Sequence, residues 1–370
     1  MQKSIPCSVY RGGTSRGVFF KEEDLPRNDE QWQNIFYQAL DTKNTNQING
    51  LGSGTSHTSK VMVVGTSLRE NAHIEFTFYQ IGIGQSVADS LGTCGNLMAA
   101  VGAFAVDENM LDIDAAQNEV IVRAYNTNTD RHVHITVPVI EGNAQVSGSY
   151  HMPGVVGKGA EYQVKLIRPG GGKLGQTLSL GNICEEEQFQ VTLSDIVNPF
   201  VFLSATEFGL RGNECVAELA NNHQLLRTIE RIRQLYSVRS GLTKTLEEAK
   251  QYQSIPKVAL LAPPMDYSTN NGERVSSDQV DVTARMVSMG TVHKTFAGSG
   301  LYNLAGTALL EGTLPNQIIG SKKGNTLRIG HPGGVISVTA ETDGKEVEAV
   351  MMSRTARLIM RGELFYTDLY

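Results

Sequence analysis

The stretch Thr93-Cys-Gly-Asn-Leu-Met-Ala-Ala-Val-Gly-Ala-Phe-Ala-Val106 indicates the fold class of this 370-residue chain. It predicts a helix over residues 94–106 that has almost no polar face, and such a helix must be buried on all sides. A second stretch, Gly298-Ser-Gly-Leu-Tyr-Asn-Leu-Ala-Gly-Thr-Ala-Leu-Leu310, has the same small and apolar character. The sequence therefore predicts one central helix in each half of the chain.

The segments between and around these two helices are mostly short and rich in β-branched and aromatic residues, which is typical of strands. Strands are predicted at 4–10, 18–20, 60–64, 73–82, 120–124, 132–139, 162–167, 176–180, 189–193, 201–204, 258–261, 326–330, 335–340, 346–352 and 356–360. Further helices are predicted at 30–40, 217–236, 243–252 and 278–289. The pattern predicts an α+β protein of two pseudo-symmetric halves, each a sheet or barrel around a central helix.

The starts of the two central helices are candidate anion sites. A helix N-terminus offers unpaired N–H groups and partial positive charge, and a glycine there lets the backbone approach a ligand closely. Cys94-Gly95-Asn96 and Ser299-Gly300 fit this description, and two such sites suit a small di- or tricarboxylate. The alternative interpretation is that both are tight loops leading into packed helices.

Lys60 is a candidate general base. It begins the apolar run Val61-Met-Val-Val64 and directly follows a hydroxyl-rich loop that ends at Ser59. A lysine desolvated there would have a lowered pKa and could remove a proton near neutral pH. An ordinary strand-end lysine that reaches solvent is the alternative.

Cys94 has two interpretations of its own. At a helix N-terminus the helix field would lower the pKa of its thiol and make it reactive. Free cysteine is also among the most buried and inert residue types. The Ser299 position in the second half argues against any scheme that needs two matched thiols.

The turn Gly12-Gly13-Thr14-Ser15 offers N–H groups and two hydroxyls, and so is a third possible anion site. It is not a P-loop, and Gly82-Ile-Gly84 is not a dinucleotide fingerprint, so no nucleotide cofactor is predicted. No metal-ligand spacing occurs either. His293 could lie near the second central helix, although a lone histidine more often has a structural role.

Net charge, apolar runs and cysteine content argue against several classes of partner and location. The net charge of −6 and the lack of a basic patch argue against nucleic acid. The apolar runs are too short to cross a membrane, and no secretory signal is visible at the N-terminus. Four scattered cysteines do not form a disulfide framework, so we expect a cytoplasmic protein.

Taken together, the motifs resemble the PrpF family of methylaconitate, methylitaconate and oxalomesaconate isomerases, which share the diaminopimelate epimerase fold. The resemblance runs in family order along nearly the whole chain. It is carried by Arg11-Gly-Gly-Thr-Ser-Arg-Gly-Val-Phe-Phe20, Thr58-Ser-Lys-Val61, Cys94-Gly-Asn96, Asp195-Ile-Val-Asn-Pro-Phe-Val-Phe202, residues 297–312 continuing into Gly312-Thr-Leu-Pro315, Gly330-His-Pro-Gly-Gly334 and Arg354-Thr-Ala-Arg357.

The resemblance implies roles and domains. Lys60 is the implied base, and Cys94 opposite it is either a second acid/base or part of a carboxylate cradle. The implied substrate-binding residues are Thr14, Ser15, Ser59, Gly95, Asn96, Asn198, Ser299 and Gly300, with Arg11 and His293 as further candidates. The implied domains are 1–155 with about 355–370, and 156–354, with the active site in the cleft between them.

The implied reaction is a cofactor-free and metal-free shift of a proton and a double bond in a small unsaturated polycarboxylate, by an enzyme that could be a homodimer. This sequence departs from the family where Arg16 replaces the usual lysine and Gly333 the usual serine. Residues 55–59 resemble the hydroxyl-rich loop of the methylaconitate isomerases. A racemase or epimerase, or a non-catalytic member of the fold, are the rival interpretations.

Overall fold

The computed structural model describes residues 1–114, 116–186, 188–320 and 324–368. Its first half contains two α-helices, α1 Asp29–Leu40 and α2 Met98–Asp107. The strands of this half are β1 Lys3–Gly12, β2 Ser15–Lys21, β3 Lys60–Thr66, β4 Ile74–Ile81, β5 Ala88–Asp89, β6 Glu119–Asn126, β7 Arg131–Ile140, β8 Asn143–Ala144 and β9 Tyr162–Ile167.

The second half contains more helices and strands than the first. Its helices are α3 Val216–Asn221, α4 His223–Arg239, α5 Leu246–Gln251, α6 Gly298–Ala308 and α7 Leu314–Ile319. Its strands are β10 Cys184–Glu186, β11 Phe189–Ile196, β12 Asn198–Ser204, β13 Lys257–Ala262, β14 Tyr267–Ser268, β15 Arg274–Val275, β16 Val282–Ser288, β17 Thr291–Val292, β18 Thr326–His331, β19 Gly334–Thr342, β20 Val347–Arg354 and β21 Ala356–Tyr366.

The chain divides into two compact units. One contains Met1–Lys165 together with the chain from Ser353 onward, and the other contains Leu166–Met352. The first unit thus regains the C-terminal strand β21, which pairs antiparallel with β1 from Lys3↔Tyr366 to Gly12↔Ala356.

In the first unit the sheet is built around α2. β1 and β2 are antiparallel, β2 and β3 parallel, β3 and β4 antiparallel, β4 and β6 parallel, and β6 and β7 antiparallel. α2 connects the parallel pair β4 and β6 and contacts β1, β3, β6, β7, β8 and β21. All residues from Met98 to Val106 are buried, so this helix has strands on every side.

The second unit repeats the same order of pairing. β11 and β12 are antiparallel, β12 and β13 parallel, β13 and β16 antiparallel, β16 and β18 parallel, and β18 and β19 antiparallel. α6 connects the parallel pair β16 and β18 and is buried along its whole length. The predicted plan of two similar halves around two central helices is confirmed.

Small residues in the central helices allow this close wrapping. A Cβ added to Gly102 would lie 2.5 Å from Ile135 Cγ2, and one added to Gly306 would lie 2.7 Å from Ile196 Cδ1. Because well-packed interiors have no room for such a methyl group, the apolar side chains of the sheet require glycine there.

Several predicted elements are wrong. The helix predicted at 278–289 is mainly β16, whose residues Val282–Val287 are buried and pair with β13 and β18, so sheet pairing overrides the local pattern. The strand predicted at 176–180 is a series of turns. The helix predicted at 217–236 is two helices, because Asn222 ends α3 and its side chain caps α4 by accepting from Leu225 N at 3.0 Å.

The remaining differences concern helix ends, one short helix and the short strands β5, β8, β10, β14, β15 and β17, which were not predicted. α2 begins at Met98 rather than at Cys94, and α7 was not predicted. Among the described residues, no helix combines the length and the apolar content needed to cross a membrane.

Candidate active site

Lys60 is the first residue of β3 and its side chain is buried. Its Nζ donates a hydrogen bond to Gln80 Oε1 across 2.6 Å and lies 5.0 Å from the centroid of the Phe78 ring. Lys60 and Gln80 are direct partners in the antiparallel pairing of β3 with β4. The side chain therefore stays inside the protein, which contradicts the alternative of a lysine that reaches solvent.

The electrostatics of Lys60 follow from this burial. Desolvation lowers the pKa of Lys60 from its ordinary value of 10.5, because the ammonium form loses its hydration. Cys94 acts in the opposite direction, with a smaller effect. The net result is an amine that gives up its proton more readily than an exposed lysine does, as a general base near neutral pH requires.

Cys94 to Leu97 form a turn directly before α2, held by a hydrogen bond from Leu97 N to Cys94 O at 3.1 Å. The expectation that Cys94 stands at the first turn of the helix is therefore wrong, and the argument from the helix field loses its geometric basis. The backbone N–H groups of Cys94, Gly95 and Asn96 donate to no acceptor in the part of the chain that the structure describes. Three consecutive N–H groups of this kind are suited to bind an anion.

The hairpin turn between β1 and β2 lies against this segment. Asn96 Nδ2 donates to Thr14 Oγ1 at 3.0 Å, and Cys94 Sγ lies 3.8 Å from the hydroxyl of Ser15. Gly13 has φ +54°, and a Cβ on it would lie 2.6 Å from Asn96 Oδ1. The structure thus brings together Thr14, Ser15, Cys94 and Asn96, four of the residues that the resemblance implied for the site.

Arg11 and Ser59 hold loops in place. Arg11 Nη1 donates to Gly13 O at 3.1 Å and to both the carbonyl and the hydroxyl of Thr355 at 2.8 Å. Ser59 is fully buried, with its hydroxyl 2.8 Å from Gln47 Oε1 and 2.9 Å from Thr55 O. Both side chains therefore already have protein partners, which favours a supporting role for each.

Asn198 lies in the other unit, at the start of β12. Its carbonyl accepts from Asn303 Nδ2 at 2.8 Å, while its side-chain Oδ1 is buried with no hydrogen-bond partner in the described residues. Val197, the single residue between the paired Ile196 and Asn198, has φ +68°. A β-branched residue in this conformation is strained, and such strain is often found at functional sites.

Ser299 and Gly300 lie in the first turn of α6, after the N-cap residue Ala297. Gly300 N already donates to Ala297 O at 2.9 Å. A Cβ on Gly300 would lie 2.5 Å from Phe200 Cζ and 2.6 Å from Phe296 Cε1. Ring packing therefore accounts for this glycine, while Ser299 is buried and its hydroxyl has no partner in the described residues.

His293 has a local partner, since its Nδ1 accepts from Thr295 N at 3.1 Å. This bond shapes the turn before α6 and favours the structural interpretation. No group of three or more His, Cys, Asp or Glu side chains within the described ranges is arranged to hold a metal ion.

Gln80 is the site residue that the sequence analysis missed. A signal for it exists, because Ile74, Phe76 and Phe78 form the buried, alternating face of β4 and Gln80 continues that series with a polar side chain. A polar side chain on an otherwise apolar face is more informative than a further apolar one.

The fold is that of a class of isomerases and epimerases. A crystal structure of methylitaconate-delta-isomerase superposes with a TM-score of 0.85 at 33% identity, over 99% of this chain and 96% of that one. A hydroxyproline epimerase from Agrobacterium vitis shares the fold alone, with a TM-score of 0.55 at 10% identity over 99% of this chain and 94% of that one. The predicted epimerase-like fold is confirmed.

Within that class the chain belongs to the PrpF family. The family model, described as PrpF protein, matches residues 2–367. It is 33% identical to the 3-methylitaconate isomerase of Eubacterium barkeri, over 98% of this chain and 97% of that protein. Identity is 31% with the 2-methyl-aconitate isomerase of Shewanella oneidensis and 28% with the 4-oxalomesaconate tautomerase of Pseudomonas putida, each over 98% of this chain and 96% of the relative. The prediction that the chain is an isomerase is confirmed.

Proposed function

We propose that this protein shifts a proton and a double bond within a small unsaturated di- or tricarboxylate, and that Lys60 is the base. The proposed substrate class includes 2-methylaconitate, 3-methylitaconate and 4-oxalomesaconate, the acids of its named relatives. The observation that supports it best is the buried amine of Lys60, which has a lowered pKa and interacts electrostatically with Cys94, the first of the three residues whose N–H groups have no acceptor in the described residues.

In the proposed reaction, the neutral amine of Lys60 takes a proton from a carbon next to the conjugated carboxylate. The electron pair of that C–H bond enters the π system and gives a dienolate. The ammonium then returns the proton to another carbon, so the double bond moves and no net charge or proton is lost. A one-base route of this kind needs no second thiol at Ser299.

The dienolate carries its new charge on carboxylate oxygens. N–H groups of Cys94, Gly95 and Asn96 can donate to those oxygens, and each well-placed donor contributes about 3–4 kcal/mol to the transition state. The hydroxyls of Thr14 and Ser15 can bind the same or a second carboxylate. Within the second unit itself, Asn198 and Ser299 have polar side-chain atoms without a partner in the described residues.

A cytoplasmic location and a homodimer stay predictions from the sequence.

The decisive experiment replaces Lys60 with methionine and follows double-bond migration by ultraviolet absorbance with each of the three acids. We expect a fall in turnover of at least a thousandfold. Lys257 is the matched control, because it opens β13, the strand at the equivalent position of the second unit, and its amine donates to Ser254 O at 2.8 Å. Lys257→Met should retain turnover, and near-normal turnover of Lys60→Met would refute the assignment.

A further inference from the structure

The hydrogen-bond partners of Gln80 fix the orientation of its side-chain amide. Its Nε2 donates to the carbonyl oxygens of Ser59 at 2.7 Å and of Ser56 at 3.2 Å. Because carbonyl oxygens accept and cannot donate, the NH₂ end must face them. The Oε1 end is therefore fixed towards Lys60 Nζ, at 2.6 Å.

We propose that Gln80 is the positioning residue of Lys60, a neutral clamp that fixes the direction of the amine and denies it an ionic partner. The inference rests on the proposed role of Lys60 as the base. When Oε1 accepts one N–H of the amine, the lone pair must point in another direction. The clamp thus aims the lone pair away from β4.

Two charged side chains on the neighbouring strands β5 and β2 have other partners. Asp89 is the partner of Gln80 on β5, and its Oδ1 accepts from Leu91 N at 2.8 Å. Arg16 on β2 donates to Leu51 O at 3.1 Å. Cys94 is the titratable group whose charge acts on Lys60. A neutral amide thus occupies the position where a carboxylate would form a salt bridge with the ammonium.

Two substitutions at position 80 should shift the pKa of the Lys60 amine in opposite directions. In Gln80→Glu, a carboxylate beside the ammonium stabilises the charged form and raises the pKa of Lys60. In Gln80→Met, a side chain of similar length offers no acceptor for the ammonium, so desolvation lowers the pKa of Lys60 further. If Gln80 only supported the loop, both substitutions would loosen that loop. They would then shift the pKa of Lys60 in the same direction.

The test measures two quantities in wild type and both variants. The first is the pH at which the ¹⁵N signal of Lys60 Nζ titrates by NMR, assigned with Lys60→Met. The second is the pH dependence of kcat/KM. We expect Gln80→Glu to move the titration and the acid limb upward by at least one pH unit, about a tenfold loss near neutral pH that is recovered at higher pH. Gln80→Met should move the titration downward and reduce kcat at least tenfold with little change in KM.

Gln117→Glu is the control for added negative charge, because Gln117 is exposed in the turn before β6. It should move neither quantity. Shifts of the same sign in both position-80 variants, or wild-type kcat in Gln80→Met, would overturn the clamp. The NMR titration does not depend on turnover, so an active Lys60→Met would refute the proposed function and still leave the clamp tested.

Discussion

The side-chain amide of Asn96 donates to the hydroxyl of Thr14 across 3.0 Å and joins the turn before α2 to the hairpin turn of β1 and β2. The two segments lie 82 residues apart in sequence. The bond holds the hydroxyls of the hairpin turn and the N–H groups of residues 94–96 in one arrangement. Preorganised donors of this kind stabilise developing charge because they need no reorganisation during the reaction.

Gly13→Ala should weaken this junction. The residue has φ +54°, and the new Cβ would lie 2.6 Å from Asn96 Oδ1, so backbone strain and a contact with a bonded amide both oppose it. We expect a loss of about 2–4 kcal/mol in the free energy of unfolding, measured in urea, and at least a tenfold loss in kcat/KM. Gly142→Ala is the control, because Gly142 has φ +77° but nothing within 4 Å of the new Cβ. Equal losses in the two variants would show that the contact with Asn96 does not matter.

Cys94→Ser should reduce turnover only partly, by about tenfold, because the serine keeps the backbone N–H groups that the proposal uses. The exposed cysteine at the start of α3 provides the comparison, and Cys215→Ser should leave turnover unchanged. A loss in Cys94→Ser as deep as that in Lys60→Met would instead assign proton transfer to the thiol.

The sequence was informative where local pattern decides structure. The central helices and the hairpin of β6 and β7 follow from composition over a few residues, whereas the sequence left open whether Lys60 is buried. The helix wrongly predicted at 278–289 shows the limit. Its apolar run suits either a helix or a buried strand, and β16 is a strand because β13 and β18 pair with it from distant parts of the chain.

Gln80 shows the same limit within the site. It reaches Lys60 because the register of β3 and β4 sets the two residues opposite each other. A shift of one residue in that register would turn the Gln80 side chain to the other face, and the sequence alone does not fix the register. The role of Cys94 stays a prediction, and its place before the helix depends on where α2 begins.

Asn303→Ala should destabilise the second unit. The buried amide of Asn303 donates to Ser194 O and Asn198 O, at 2.8 Å each. Its removal leaves two buried carbonyl groups without this donor, and we expect a loss of about 2–3 kcal/mol in the free energy of unfolding. Asn143→Ala removes an exposed amide that donates to Glu141 O, and it should cost less than about 0.5 kcal/mol. Chemical denaturation of both variants measures the difference.

Lys60→Met should stabilise the protein against unfolding, and the gain should shrink as the pH rises. Burial lowers the pKa of Lys60 in the folded state, whereas the unfolded chain titrates near 10.5. Between these two pKa values the unfolded state binds more protons than the folded one, so wild-type stability rises with pH through that window. Below this pH window the folded state carries the whole free-energy cost of a buried ammonium. Above the window, Lys60 is neutral in both the folded and the unfolded state. Methionine does not titrate, so the difference in the free energy of unfolding should be largest below the folded-state pKa of Lys60 and smallest near pH 10.5. A difference that is independent of pH would mean that the folded protein does not change the pKa of Lys60, and the acid limb of turnover would then need another titrating group.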